Sequence, residues 1–270
     1  MDNKNTRKNL ILGGGFVSSN LRELLEEKGE EVVTLSRGDG KDLRKSEDYI
    51  SDFEWADRVW FLAWDIGVWK KDKDNSYEID ILESNLQLCK SVFRVLEKVK
   101  KPFLFVSSHA STEMIPLGVT KRVAEIWTKL LDGHVARLWN VYGWQPVGEK
   151  SHVIPDLVWK GLNGRVELMS DGEEKRQFLH VRDCVEAFYH QLEIGQKYAD
   201  ITSFEWVLLK EVARLAGDKI GVEVSLGSKP GNPGLKSPEV PLGSWGPKIS
   251  LDQGLDDVIN KARKWQKENH

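Results

Sequence analysis

Short apolar runs that alternate with helix-period stretches constrain this chain more than any other feature. Lys8–Leu12 (KNLIL), Glu31–Leu35 (EVVTL), residues 58–63 (RVWFLA), residues 102–107 (PFLFVS) and His134–Leu138 (HVARL) are short and nearly continuously apolar. Runs of this kind suit strands buried on both faces of a parallel sheet. Between them, apolar residues recur at helical spacing. One stripe holds Val17, Leu21, Leu24 and Leu25, with Gly29 placed to stop the helix. A second holds Leu86, Cys89, Val92, Phe93 and Leu96; a third holds Val119, Val123, Trp127, Leu130 and Leu131. Strand and helix in alternation require βαβ crossovers, so an α/β fold with a doubly wound parallel sheet is expected.

The second half is less regular. Helices are expected around Val185, Phe188, Tyr189 and Leu192, around Trp206, Leu209, Val212, Ala213 and Ala216, and over Leu255, Val258, Ile259, Ala262 and Trp265. Residues 227–247 are rich in Gly, Pro and Ser without periodicity and read as a long loop. A length of 270 residues allows one large domain or two small ones.

Composition excludes several classes. A net charge of −3 gives no basic excess for nucleic acid. No apolar run reaches the ~18 residues of a membrane span. The start, MDNKNTRKNLIL, lacks a signal-peptide core. Cys89 and Cys184 cannot build a disulfide framework, which suits a reduced, cytoplasmic setting. His134, His152, His180, His190 and His270 show no metal-ligand spacing, so no metal site is expected.

Gly13-Gly14-Gly15-Phe16-Val17 lies between the first strand and the first helix. Glycines there let the backbone approach a pyrophosphate, and the helix N-terminus offers free N–H groups. The spacing departs from the usual pattern: its last glycine would fall on Ser18 and its first on Leu12. The same cluster also suits a plain tight strand–helix turn. After the second strand stand Ser36 and Arg37 in place of the acid that holds a ribose hydroxyl, which favours NADP over NAD. A solvated loop charge is the alternative reading of Arg37.

Strings in sequence order then resemble one family. Gly15-Phe16-Val17-Ser18-Ser19-Asn20-Leu21 is similar to its G-F-I-G-S-N-L, and Asp42-Leu43-Arg44 to its adenine-side D-h-R. Leu62-Ala63 with Gly67, Asn85, and Phe105-Val106-Ser107-Ser108 resemble its L-A-A strand end, its N-x-x-x-T helix start and its F-V-S-S. Residues 137–143 (RLWNVYG), 175–183 (KRQFLHVRD) and 245–255 (WGPKISLDQGL) resemble R-L-F-N-V-Y-G, x-R-D-F-I-H-V-D-D and W-x-P-K-x-S-L-E-E-G-L. The chain is identified as resembling the extended short-chain dehydrogenases/reductases of the nucleotide-sugar epimerase/dehydratase group.

The resemblance implies a Rossmann-type domain over residues 1–143, to which segments near 176–205 return, and a smaller, mainly substrate-binding domain over 144–270. It implies a nicotinamide dinucleotide, a nucleotide-sugar in the cleft between the domains, and a homodimer through the 83–98 and 119–131 helices. Gly13, Gly14, Gly15, Phe16, Val17, Ser36, Arg37, Asp42, Leu43, Leu62, Ala63 and Lys121 are the implied cofactor-binding residues.

The family's chemistry uses Tyr-x-x-x-Lys: the tyrosine moves a sugar proton while hydride passes to or from the nicotinamide. The matching string, residues 116–125 (PLGVTKRVAE), keeps Lys121 but has Leu117 at the tyrosine position. Lys121, Ser108 and His109 are the implied catalytic candidates. Ser108 is the hydroxyl candidate and His109 a candidate acid/base. Glu113 and Tyr142 are further candidates for the missing proton carrier. On the substrate side, Asn140 and Arg176 match residues near the sugar-nucleotide phosphates, where a guanidinium suits phosphate oxygens. Residues 153–168 should cover the nucleotide base. Trp64 and Trp69 are candidates to stack on a ring. Most of the other tryptophans, of eleven in all, fall on helix stripes and read as core.

Overall fold

The computed structural model describes residues 6–67, 75–146, 152–231 and 237–269. Their elements run β1 (Lys8–Leu12), α1 (Phe16–Glu27), β2 (Glu31–Leu35), α2 (Ile50–Trp55), β3 (Arg58–Phe61), α3 (Asn75–Val99), β4 (Phe103–Ser108), α4 (Pro116–Leu130) and β5 (His134–Leu138). Then follow β6 (Asn140–Tyr142), α5 (Val153–Leu162), β7 (Val166–Glu167), β8 (Lys175–Arg176), β9 (Phe178–His180), α6 (Val181–Ile194) and β10 (Tyr198–Ile201). The chain closes with β11 (Val207–Leu208), α7 (Leu209–Ile220), β12 (Val224–Ser225) and α8 (Leu251–Asn269).

These elements form two compact units. The first holds the residues up to Leu138, then Val185–Asp200 and Val240–Gly243; the second holds Trp139–Cys184, Ile201–Glu239 and the chain from Ser244. The change from one to the other falls at Leu138 and not at 143, because β6 pairs with β9 inside the second unit.

The first unit is a Rossmann-type α/β sheet of strand order β2-β1-β3-β4-β5-β10. β1 pairs in parallel with both β2 and β3, β3 with β4, and β4 with β5. Leu10, Ile11, Leu12, Val59, Trp60, Phe61, Leu104 and Phe105 are fully buried, as two-sided cover demands. α1 buries Leu21, Leu24 and Leu25, each worth ~1.5–3 kcal/mol. It ends at Gly29, whose φ of 75° and N–H to Glu26 O (2.9 Å) close the last turn. The third strand stops at Phe61, earlier than its apolar run. The N–H groups of Leu62 and Ala63 both turn to Leu12 O, at 2.9 and 2.6 Å. Two 3₁₀ turns (Arg37–Asp39, Leu43–Tyr49) and α2 lie where periodicity gives no element.

The second unit packs α5, α7 and α8 around Ile154, Leu157, Val158, Val212, Ala216, Leu255, Val258 and Ile259. Its strands are short pairs: β6 with β9, β7 with β12, β8 with β11. Trp144, Trp159 and Trp265 form a cluster with centroids 5.3–6.4 Å apart. Buried Asp183 anchors the entry to α8: its Oδ2 accepts the backbone N–H groups of Lys248 (3.1 Å) and Ile249 (2.8 Å). Asp183→Ala leaves both donors unpaired and should cost roughly 2–4 kcal/mol, read by urea unfolding. A loss under about 0.5 kcal/mol would refute that role for the carboxylate. Among the described residues no helix is long and apolar enough to cross a membrane.

Candidate active site

β1 is the strand from which the sheet winds both ways, toward β2 and toward β3. Ligands of such sheets bind at the carboxyl ends of the strands where the winding reverses. Gly13 leaves β1 there with φ of 119°, and a Cβ on it would stand 2.8 Å from Ala63 N at the end of β3. A Cβ on Gly14 would stand 2.9 Å from the Ser36 side chain, while Gly15 has open space around it. Gly15 precedes α1, whose N-terminus has no side-chain cap and no acid in its first turn. Phe16 and Val17 open the helix half-buried, and Ser18 is buried on its inner side. The three glycines therefore have distinct duties: two permit close approach of neighbouring strands, and the third precedes the helix without adding a side-chain cap. A pyrophosphate suits that arrangement.

Around Ser36, Arg37 and Asp42 the polar groups are partly committed. The Ser36 hydroxyl donates to Asp39 Oδ2 at 2.6 Å. Arg37 is exposed. Asp42 accepts from the backbone N–H (3.0 Å), Nε (3.0 Å) and Nη2 (2.9 Å) of Arg44, and hydrogen bonding by that side chain holds its carboxyl below the usual range. Leu43 is buried beneath this turn.

β4 ends in Ser107 and Ser108. Ser107 is buried and donates to Glu125 Oε1 at 2.5 Å. Glu125 in turn receives Arg122 (3.1 Å) and Arg137 (3.3 Å). This network was not among the candidates from the sequence; its signal is an acid four residues after Lys121, on the same helix face. Ser108 caps the following 3₁₀ turn, accepting Ala110 N–H at 3.2 Å, and His109 opens that turn half-buried. Glu113 is exposed, which removes the burial a base there would need. Leu117 is half-buried in the first turn of α4. A Cβ on Gly118 would fall inside contact distance of the carbonyl oxygens of Ala110 and Glu113, so the loop and helix meet there only because the residue is glycine.

Lys121 and Trp64 are brought together. The buried Lys121 Nζ donates to Val106 O at 2.6 Å and lies 4.1 Å from the Trp64 ring centroid and 4.7 Å from that of Phe105. Trp64 also packs on Phe61 and Phe105, and its indole N–H has no acceptor among the described residues. Burial pushes the Lys121 amine down to about 7, against weaker opposing pulls from Cys89 and Glu125. Trp69 lies outside the described residues.

The remaining candidates belong to the second unit. Asn140 opens β6 with its buried side-chain N–H₂ unpartnered among the described residues, and its register partner is Phe178. Arg176, half-buried, ends β8 two residues before Phe178 and donates to its neighbour's carbonyl, Lys175 O, at 2.8 Å. Tyr142 is a packing residue: it is buried against Phe178, His180 and Gly254, and burial raises its hydroxyl well above the ordinary range.

A glycine turn at the winding reversal of a parallel sheet, opening an uncapped helix, defines a dinucleotide-binding α/β protein. The chain belongs to the NAD dependent epimerase/dehydratase family, whose model matches residues 9–201. Among curated proteins it is 34% identical over 101 residues to dTDP-4-dehydro-6-deoxy-D-allose reductase of Streptomyces bikiniensis. The match covers 35% of this chain and 30% of that relative, so it spans under a third of the relative's length. Among solved structures it resembles UDP-glucose 4-epimerase of Thermotoga maritima, solved with UDP-glucose (TM-score 0.80, 21% identity, 96% of this chain and 99% of that one). It also resembles dTDP-glucose 4,6-dehydratase of Bacillus anthracis, solved with NAD (TM-score 0.76, 17% identity, 97% of each chain). At these identities the structural likeness establishes the fold.

Proposed function

We propose that the protein is an NAD(P)-dependent nucleotide-sugar-modifying enzyme of the epimerase, dehydratase or 4-keto reductase type. The observation that carries this reading is the Gly13–Gly15 turn at the reversal of the sheet, opening a helix without a side-chain cap. The first unit takes the dinucleotide, with the glycine turn on the pyrophosphate, Asp42 and Leu43 on the adenine side, and Leu62 and Ala63 beside the nicotinamide half. When bound, the dinucleotide supplies hydride acceptance and donation. Lys121 and Ser108 serve the reacting end, with His109 beside them. In the second unit, Asn140 with its unpartnered amide and Arg176 take the phosphates of the nucleotide-sugar. Trp64 borders the sugar. Because the Ser36 proton is held by Asp39, Arg37 is the group that would meet a 2′-phosphate, and NADP is the preferred cofactor.

The exposed apolar side chains Ile79 and Leu86 on α3 and Ile126 and Leu130 on α4 support a homodimer across these helices. Two buried free cysteines support a reducing, cytoplasmic setting. A second reading, favoured by Leu117, is a cofactor- or sugar-binding protein without turnover, or a partner subunit of another sugar enzyme.

Calorimetric titration of nucleotide-free protein with NADP⁺ and NAD⁺, followed by a screen of UDP-, dTDP- and GDP-sugars, tests the proposal. Micromolar binding with NADP⁺ preferred, and turnover of one sugar class, is the expected result. Folded protein that binds neither dinucleotide would sink the redox reading. Binding without turnover would select the second reading.

A further inference from the structure

Telling NAD from NADP means telling a hydroxyl from a phosphate at one position of the adenosine ribose. A hydroxyl donates to a carboxylate, whereas a phosphate is repelled by one and drawn to a guanidinium. The deciding group has to stand at the carboxyl end of β2, beside the glycine turn. By order along the chain that place falls to Ser36 and Arg37, and neither is an acid. The backbone brings an acid there from further on. The 3₁₀ turn Arg37–Asp39 folds back on the strand end, and the N–H groups of Asp39 and Lys41 both donate to Ser36 O, at 3.1 and 2.9 Å.

The fold-back sets the Asp39 carboxylate on the Ser36 hydroxyl, which donates to Oδ2 at 2.6 Å. Ser36 is buried, and its side chain is what a Cβ on Gly14 would strike. One hydroxyl therefore ties the carboxylate to the wall of the glycine turn. Asp39 is exposed, and its Oδ1 has no partner among the described residues. Two nearby cations are engaged elsewhere: Arg44 is held by Asp42, and the Lys41 ammonium lies 5.1 Å from the Tyr49 ring centroid. Arg37 is exposed, and among the described residues it forms no ion pair with Asp39. The turn thus presents two opposite charges, two residues apart, that do not cancel each other.

We infer that Asp39 is a specificity-determining residue of this chain, set against Arg37 in the choice between the two dinucleotides. The inference rests on the dinucleotide binding proposed above. Arg37 attracts the 2′-phosphate of NADP. Asp39 opposes that phosphate, and through Oδ1 it accepts a ribose hydroxyl of NAD. The preference for NADP is then the difference between two opposed charges, and removing either one tips it. For a carboxylate and a phosphate a few ångströms apart at an exposed site, the repulsion amounts to about tenfold in binding.

Calorimetric titration of the whole, nucleotide-free protein with NADP⁺ and NAD⁺ tests this, in wild type, Asp39→Asn, Asp39→Ala and Arg37→Ala. Asparagine keeps an acceptor for the Ser36 hydroxyl and loses the charge; alanine loses both. Asp39→Asn and Asp39→Ala should each bind NADP⁺ about tenfold more tightly, with NAD⁺ unchanged or a few-fold weaker. Arg37→Ala should move the ratio the other way, through NADP⁺. A ratio in Asp39→Asn within twofold of wild type would overturn the inference, and so would a change confined to Asp39→Ala, which would be an effect of turn shape. Either result leaves the proposed function standing. Wild type that binds neither dinucleotide overturns both.

Discussion

Lys121→Met should be more stable than wild type at neutral and acidic pH, and the advantage should vanish above about pH 10.5. In the folded state burial pushes the amine down to about 7, from an ordinary value of 10.5. Below about 7 the amine is charged in both states, and the folded protein bears the full cost of a buried ammonium. Above 10.5 it is neutral in both, and the cost is gone. Between these values unfolding takes up a proton, so wild-type stability rises with pH by up to about 1.4 kcal/mol per unit. Methionine fills similar space with no charge. It removes the slope and should stabilise the protein by on the order of a few kcal/mol at pH 6, less ~1 kcal/mol for the donor lost to Val106 O. Urea unfolding of both proteins at pH 6, 8 and 10 reads the difference directly. Parallel pH profiles would show that the amine is as solvated in the folded chain as in the unfolded one.

Gly118→Ala should be among the most damaging single-methyl changes in the protein. The added carbon meets the carbonyl oxygens of Ala110 and Glu113, which are backbone and cannot rotate away. Either α4 shifts or the turn capped by Ser108 opens, and both carry reacting-end candidates. A cost of roughly 3 kcal/mol or more is expected, which lowers Tm by roughly 6–12 °C at this chain length. Gly15→Ala is the comparison. Its Cβ meets nothing within 4 Å, so stability should change by less than about 1 kcal/mol. Dinucleotide binding should nevertheless weaken, because the methyl intrudes where a phosphate would approach. Equal Tm losses in the two variants would mean that the crowding at Gly118 is relieved at no cost.

The sheet was legible because its central strands β1, β3 and β4 are buried on both faces and read as nearly continuous apolar runs, with helix stripes between the strands. In the second unit α7 and α8 were legible from their stripes, but the strands were not, because β7, β8, β11 and β12 are two residues long, too short to carry a period. The 3₁₀ turns after β2 escaped for the same reason. At the candidate site, type and order along the chain named the glycine turn, Lys121 and Asn140 as candidates. They could not show where side chains point. Ser36 reads as a hydroxyl offered to a ligand, yet its proton is held by Asp39. Trp64 reads as a stacking ring offered to a sugar, yet it lies on the amine of Lys121. The first depends on how the 3₁₀ turn after β2 folds back on Ser36, and the second on a contact between residues far apart in sequence; local pattern records neither.

The chain passes between its two units five times, at Leu138, Cys184, Asp200, Glu239 and Gly243. No single cut frees either unit. A fragment ending at Leu138 would lack β10, the strand beside β5 at the sheet edge, along with the first unit's share of α6. Recombination therefore has no single seam at which to graft a different second unit onto this sheet. The second unit can change only through substitutions scattered over three separate stretches, each made while the whole polypeptide still folds. Such an architecture is inherited intact and diversifies residue by residue.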